Sequence, residues 1–75
     1  MEIKLKIFGY LIYQSGFRDK EVTIPRSITV AELLPLINLK KQFPMIITRN
    51  GKKINLDDKI MDGDKIVIAP FFSGG

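Results

Sequence analysis

The sequence predicts an α+β fold in which a mixed sheet of four to five strands is covered on one face by one helix. Three observations carry that expectation. Short strand-like segments, alternating or β-branched and bounded by turn residues, recur from one end of the chain to the other. Only the segment starting at Thr29 combines a helix-start signal with helical apolar spacing. Asn50-Gly51 divides two strand-like segments with the strongest short hairpin signal, because both central residues of a type I′ turn need positive φ. A single helix must then shield the apolar face of the sheet, since no other segment can.

Each element follows from local chemistry. Ile3, Leu5 and Ile7 alternate with Glu2, Lys4 and Lys6, which gives the first strand. After Gly9, the run Tyr10-Leu11-Ile12-Tyr13 blurs the alternation and reads as a strand end entering a loop, closed by the turn residues Gln14-Ser15-Gly16. Lys20 to Ile24 alternates again and stops at Pro25, so the first two strands form an antiparallel pair joined by a long loop. Thr29-Val30-Ala31-Glu32 fits a capping box. Val30, Leu33, Leu34 and Ile37 then line a helical face, with Leu36 a further candidate. Pro35 falls inside that helix, where its ring and missing N–H disrupt a turn, so the expectation is a short helix that kinks or restarts there. Met45 to Arg49 is a strand, returned through Asn50-Gly51 into a very short one at Lys52 to Asn55. Leu56 to Met61 suits one helical or 3₁₀ turn, and Asp62-Gly63-Asp64 a turn. Lys65 to Ala69 is almost continuously apolar and β-branched, as a central strand is.

With 75 residues and 45% hydrophobic content the chain is one globular domain, assigned to residues 1–70, followed by a flexible tail at 71–75. The absence of Cys and His excludes disulfides, thiolate metal sites and imidazole acid–base chemistry. Four aspartates, Asp57, Asp58, Asp62 and Asp64, lack the order of a calcium-binding loop and read as turn formers, so no metal site is expected. Glu32 reads as a cap, not a general base. The formal charge is +4. The doublets Lys40-Lys41 and Lys52-Lys53 can meet phosphates, but lysines of this kind more often keep loops and strand edges soluble. There is no signal-peptide-like apolar region at the N-terminus and no apolar run long enough to span a membrane, so a soluble cytoplasmic protein is expected.

The last stretch, Pro70-Phe71-Phe72-Ser73-Gly74-Gly75, places two large aromatics before three residues with almost no side chain. Together with "KIFG" at Lys6 to Gly9, "ITVAELL" at Ile28 to Leu34, "ITRNGKKI" at Ile47 to Ile54 and "MDGDKIVIAPFFSGG" from Met61 onward, it resembles the β-grasp, ubiquitin-like sulfur carriers. Within them it is most similar to the molybdopterin synthase small subunit and the carrier of thiazole biosynthesis. Pro35 inside the helix and the length of the segment from Tyr10 to Phe17 depart from both types.

The resemblance implies that the carboxylate of Gly75 is the reacting group. A carboxylate is a poor electrophile. Adenylation by a partner enzyme of the ubiquitin-activating type, which uses ATP, supplies a leaving group, and sulfur then replaces AMP to give a thiocarboxylate. The chain itself binds no cofactor and is a cosubstrate, not an enzyme. A sulfur-accepting synthase, namely molybdopterin synthase large subunit or thiazole synthase, or a tRNA-thiolating enzyme is the further partner implied; no membrane is, and nucleic acid is not favoured. Gly74 and Ser73 suit delivery of a carboxylate through a narrow passage, because glycine has no Cβ and lets other backbone approach closely. Phe71 and Phe72 are candidate anchors in a partner pocket, with Tyr10 and Tyr13 as a neighbouring patch. Two alternatives stay open: a ubiquitin-like modifier conjugated through Gly75, and a β-grasp binding module that touches RNA through Lys40, Lys41, Lys52 and Lys53.

Overall fold

Alternation along the first strand decides which way the sheet faces. A computed structural model describes residues 1–42 and 44–71 of the chain. In β1 (Glu2–Ile7) the side chains of Ile3, Leu5 and Ile7 are buried, and Glu2 and Lys4 are exposed. β2 (Asp19–Thr23) runs antiparallel to it, with Val22 opposite Ile3. β5 (Lys65–Pro70) runs parallel to β1 on its other side, with Ile66 and Ile68 opposite Leu5 and Ile7. β3 (Met45–Arg49) lies antiparallel to β5, and β4 (Lys52–Lys53) closes the sheet in the order β2-β1-β5-β3-β4. The expected central strand is therefore the middle one. Asn50 and Gly51 take φ of 49° and 88°, as the hairpin turn requires.

The sheet has one apolar face, and α2 (Val30–Leu36) supplies much of its cover. Val30, Leu33 and Leu34 are completely buried beside Ile66 and Ile68 in one core. The capping box is fully formed. Thr29 Oγ1 accepts from the Glu32 N–H at 3.2 Å, and Glu32 Oε1 accepts from the Thr29 N–H at 2.9 Å. Pro35 does not restart a helix; the helix ends one residue later. Asn38, at φ 62°, then closes it with paired bonds from the Asn38 N–H to Pro35 O and from the Leu39 N–H to Leu34 O. This is a Schellman closure with Asn in the left-handed position, and the buried pair Leu34 and Leu39 completes it.

The Thr29 N–H holds the Glu32 carboxyl below its ordinary value of 4.5, and the Thr29 hydroxyl adds to this. A carboxyl depressed in the folded state stabilises above its unfolded value and loses that contribution as pH falls through the folded value. Glu32→Gln should therefore narrow the difference between urea midpoints at neutral pH and at about pH 3. An unchanged difference would show that the cap does not contribute.

Two segments differ from expectation. The stretch from Tyr10 is not a plain loop: Leu11–Ser15 forms a one-turn helix, α1. Leu11 and Ser15, four residues apart, are both buried, and Gly16 closes the turn at φ 85° with its N–H on Ile12 O at 2.8 Å. The blurred alternation of the Tyr-Leu-Ile-Tyr run is the mark of one helical turn dipping Leu11 into the core. The segment Leu56 to Met61 forms turns and not a helix. Asp58 is drawn into a turn by accepting from the Asn55 N–H at 2.7 Å, and Lys59 bridges back to Thr29. Among the described residues no helix is long and apolar enough to cross a membrane.

The end of β5 opposite the tail is pinned by charge. The Arg49 guanidinium lies 3.1 Å from the Asp64 carboxylate and also donates to Lys59 O, and Asp64 accepts from the Met61 N–H at 2.8 Å. Asp62 accepts from the Glu2 N–H at 2.7 Å. Asp58 and Asp64 thus each hold a turn, Asp62 ties its turn to the start of β1, and no group of metal-ligating side chains forms among the described residues.

Candidate functional site: the tail exit and the open sheet face

The strand that carries the tail is the middle strand of the sheet. β5 has neighbours on both sides, and its last residue, Pro70, stands opposite Met45. Beyond it the Phe71 N–H donates to Pro44 O at 3.1 Å, and the Phe8 N–H donates to Ile68 O at 2.9 Å just before the exit. The chain therefore leaves a rigid platform. Of the residues assigned to the tail and its delivery, Phe72, Ser73, Gly74 and Gly75 lie outside the described residues, as does Phe43.

Phe71 is 55% exposed at the point of exit. Tyr10, which caps the start of α1, is 45% exposed and follows Gly9, which lies against Pro70. Tyr13 is exposed a turn further along α1. The structure thus brings Tyr10 and Phe71 to one end of the molecule and turns Tyr13 outward.

Strand register shows a second feature that the sequence reading missed. Because Ile47 and Ile68 face the core, their neighbours Ile46, Val67 and Ala69 must face the other way. Ile46 stands opposite Ala69, and Val67 lies between Lys6 and Thr48. Phe8, two residues past Lys6, is half exposed beside this row, with the Lys6 ammonium 5.5 Å from its ring. The open face therefore carries an apolar strip, half-buried at Ile46, Val67 and Ala69, at the end where the chain leaves. The parity of Lys4, Lys6 and Phe8 could have signalled Phe8, but the row across β5 and β3 needed the register.

Charge around the strip is mostly local. Glu21 and Asp19 face Lys4 and Lys6 across the β1–β2 register, which offsets those lysines. Lys52 and Lys53 lie exposed on β4, an edge strand, where lysine discourages edge-to-edge pairing.

The family model described as the ThiS family matches residues 5–75. The chain belongs to the ThiS family. The match takes in both the described platform and the stretch that ends in Gly74 and Gly75. Comparison with curated proteins gives no match. Among solved structures, SAMP1 from Haloferax volcanii is 22% identical with a TM-score of 0.73, covering 100% of both chains. A Pyrococcus furiosus protein described as molybdopterin converting factor, subunit 1, is 21% identical with a TM-score of 0.76, covering 93% of this chain and 97% of the other. A structure of H. volcanii small archaeal modifier protein 1 is 20% identical with a TM-score of 0.69, covering 92% and 95%. These likenesses establish the β-grasp fold. The chain is thus a ThiS-family protein with a ubiquitin-like β-grasp fold.

Proposed function

We propose that this ThiS-family protein is a sulfur carrier that reacts at the carboxylate of Gly75. The observation that carries the reading is the family match through the Gly-Gly stretch, on a chain whose last strand is held on both sides. In the first step a Gly75 carboxylate oxygen attacks the α-phosphorus of ATP in a partner enzyme, and pyrophosphate leaves. Sulfide sulfur then attacks the acyl carbon and AMP leaves, giving the thiocarboxylate. With a persulfide donor, a thiol must afterwards cleave the S–S bond of the acyl disulfide. The thiocarboxylate passes its sulfur to an acceptor in molybdopterin or thiamine biosynthesis, or in tRNA thiolation. The partners are a ubiquitin-activating-type adenylyltransferase and a sulfur-accepting synthase or tRNA-thiolating enzyme. Phe71, Phe72, Tyr10 and Tyr13 are the proposed anchors, with Gly74 and Ser73 as the slender approach to Gly75.

The open face supports this reading by offering a docking area continuous with the tail. Phe8→Asp places a charge in that strip without touching the core. It should raise the half-saturating concentration for activation tenfold or more, about 1.4 kcal/mol, and leave the melting temperature nearly unchanged. The assay is conversion of the purified protein by desalted extract of its native cells, given ATP and inorganic sulfide and read by mass at Gly75. Activation of Phe8→Asp at the wild-type concentration dependence would remove the open face from the proposal. No change at Gly75 in the wild type would overturn the carrier reading itself.

A second reading is a protein modifier whose Gly75 ends in an isopeptide bond to a lysine. The likeness to H. volcanii small archaeal modifier protein 1 supports it. Both readings begin with the same adenylate, and the products separate them.

A further inference from the structure

One lysine from each of the two doublets borders the same groove. From Leu33 to Leu56 the chain carries no Asp or Glu, and it carries Lys40, Lys41, Arg49, Lys52 and Lys53. Arg49 is paired with Asp64. The four lysines are exposed, and among the described residues none of them has a carboxylate within 4.0 Å. Lys4 and Lys6, by contrast, face Glu21 and Asp19. Lys41 and Lys53 border a groove of about 310 Å³ with an apolar floor that includes Met45, Ile54 and Leu56. Met45 and Ile54 are half-buried, and Leu56 is exposed. Lys40 and Lys41 border a second hollow of about 300 Å³ against Ala31 and Pro35 of α2, so the two hollows adjoin at Lys41.

Backbone alternation adds an open strand edge to this floor. In β3 the Ile47 C=O accepts from the Ile54 N–H, so Ile47 turns its backbone groups away from β5. Met45, two residues earlier, turns its own the same way. β4 pairs only with Thr48 and Arg49, and among the described residues no strand stands opposite Met45 on that side. The side chains of Met45 and Ile47 share the parity of the core face, opposite to Ile46. The groove therefore lies on the helix side of the sheet, and the strip around Phe8 lies on the other.

We propose that this groove binds an extended acidic segment of a partner protein, with alternate apolar side chains on Met45, Ile54 and Leu56 and carboxylates at Lys41 and Lys53. Addition of an extended segment to an exposed strand edge is a general recognition mode, in which main-chain bonds give affinity and pockets for alternate side chains give specificity. Lysines on an edge repel a second edge of like charge. An acidic segment reverses that sign, so the same lysines select it. Nucleic acid fits less well. Its binding draws on phosphate contacts and on rings or guanidinium groups that stack on bases, and the described lining of the groove has no aromatic ring and no arginine. The proposal does not depend on chemistry at Gly75.

The test is a titration of the isotope-labelled full chain at low ionic strength, followed by its backbone amide resonances. The probe is the end-blocked peptide Asp-Leu-Asp-Leu-Asp-Leu-Asp. Its controls are the serine version, Asp-Ser-Asp-Ser-Asp-Ser-Asp, and a single-stranded oligouridylate. The leucine peptide should shift the amides of Met45, Ile54 and Leu56 saturably. It should bind at least about tenfold more tightly than the serine peptide. Lys41→Glu combined with Lys53→Glu should weaken it about tenfold or more, and Phe8→Asp should leave it unchanged. All three positions are exposed, so the melting temperatures should stay near that of the wild type. Equal binding of the two peptides, no saturable shift at the groove amides, indifference to the double charge reversal, or shifts confined to the Phe8 face overturns the proposal. An oligouridylate that shifts the groove amides at lower concentration than the leucine peptide also overturns it, because the groove is then a nucleic-acid site.

Discussion

Deleting Gly75, or adding one residue after it, leaves a folded protein that accepts neither AMP nor sulfur. The effect on activation is expected to be complete, since the proposed nucleophile toward ATP is the carboxylate of that residue and no side chain can replace it. The chain has no Cys or His, so no other group offers a thiol or imidazole route. The effect on stability is expected to be negligible. The core consists of residues from Ile3 to Ile68, and β5 ends at Pro70. Intact mass after incubation with ATP, sulfide and extract reads the first expectation, and a thermal melt reads the second. A truncated or extended chain that still gains sulfur would place the chemistry elsewhere.

Ile68→Ala has the opposite signature. Ile68 is fully buried in the central strand, opposite Ile7 in β1 and Ile47 in β3. Removing three carbons from such a site costs roughly 2–5 kcal/mol, because the surrounding side chains only partly collapse into the space. A domain of this size has about 4–11 kcal/mol in total, so the variant loses a large share of it. At about 4–8 °C per kcal/mol, the melting temperature should fall by roughly 10 °C or more. Activation at low temperature, where the variant remains folded, should persist. The neighbouring position Val67 faces the open side, so Val67→Ala should change the melt much less. Equal losses at both positions would mean that the assignment of faces is wrong.

The contrast between these neighbours shows what was legible in the sequence. Within β1, Ile3, Leu5 and Ile7 announce their face by alternation alone. In β5 the run Ile66-Val67-Ile68-Ala69 is apolar on both sides, and only pairing with β1 and β3 tells core from open face. Pairing joins Leu5 to Ile66 across 61 positions of chain, which local pattern does not encode. The capping box and the Asn-Gly turn were legible because each is a local device with its own residue signature. Helix α1 was not, since one turn buries only Leu11 and Ser15 and leaves no periodic stripe. The helix stop at Asn38 was legible in kind but obscured by Pro35, the stronger breaker. At the candidate site, the Gly-Gly stretch and the exposed Phe71 and Tyr10 came from sequence. Phe8 and the Gly9–Pro70 contact needed strands placed side by side.

The carrier reading centres on one atom group, the carboxylate of Gly75. The most direct measurement is the intact mass of the protein recovered from its native cells without reducing or acidic treatment, followed by fragmentation to locate any change. The account predicts a population heavier by the replacement of one oxygen by one sulfur, confined to Gly75. A protein found only as crosslinked conjugates through Gly75, or one that carries an unmodified carboxylate both in the cells and after ATP, sulfide and extract, would contradict it.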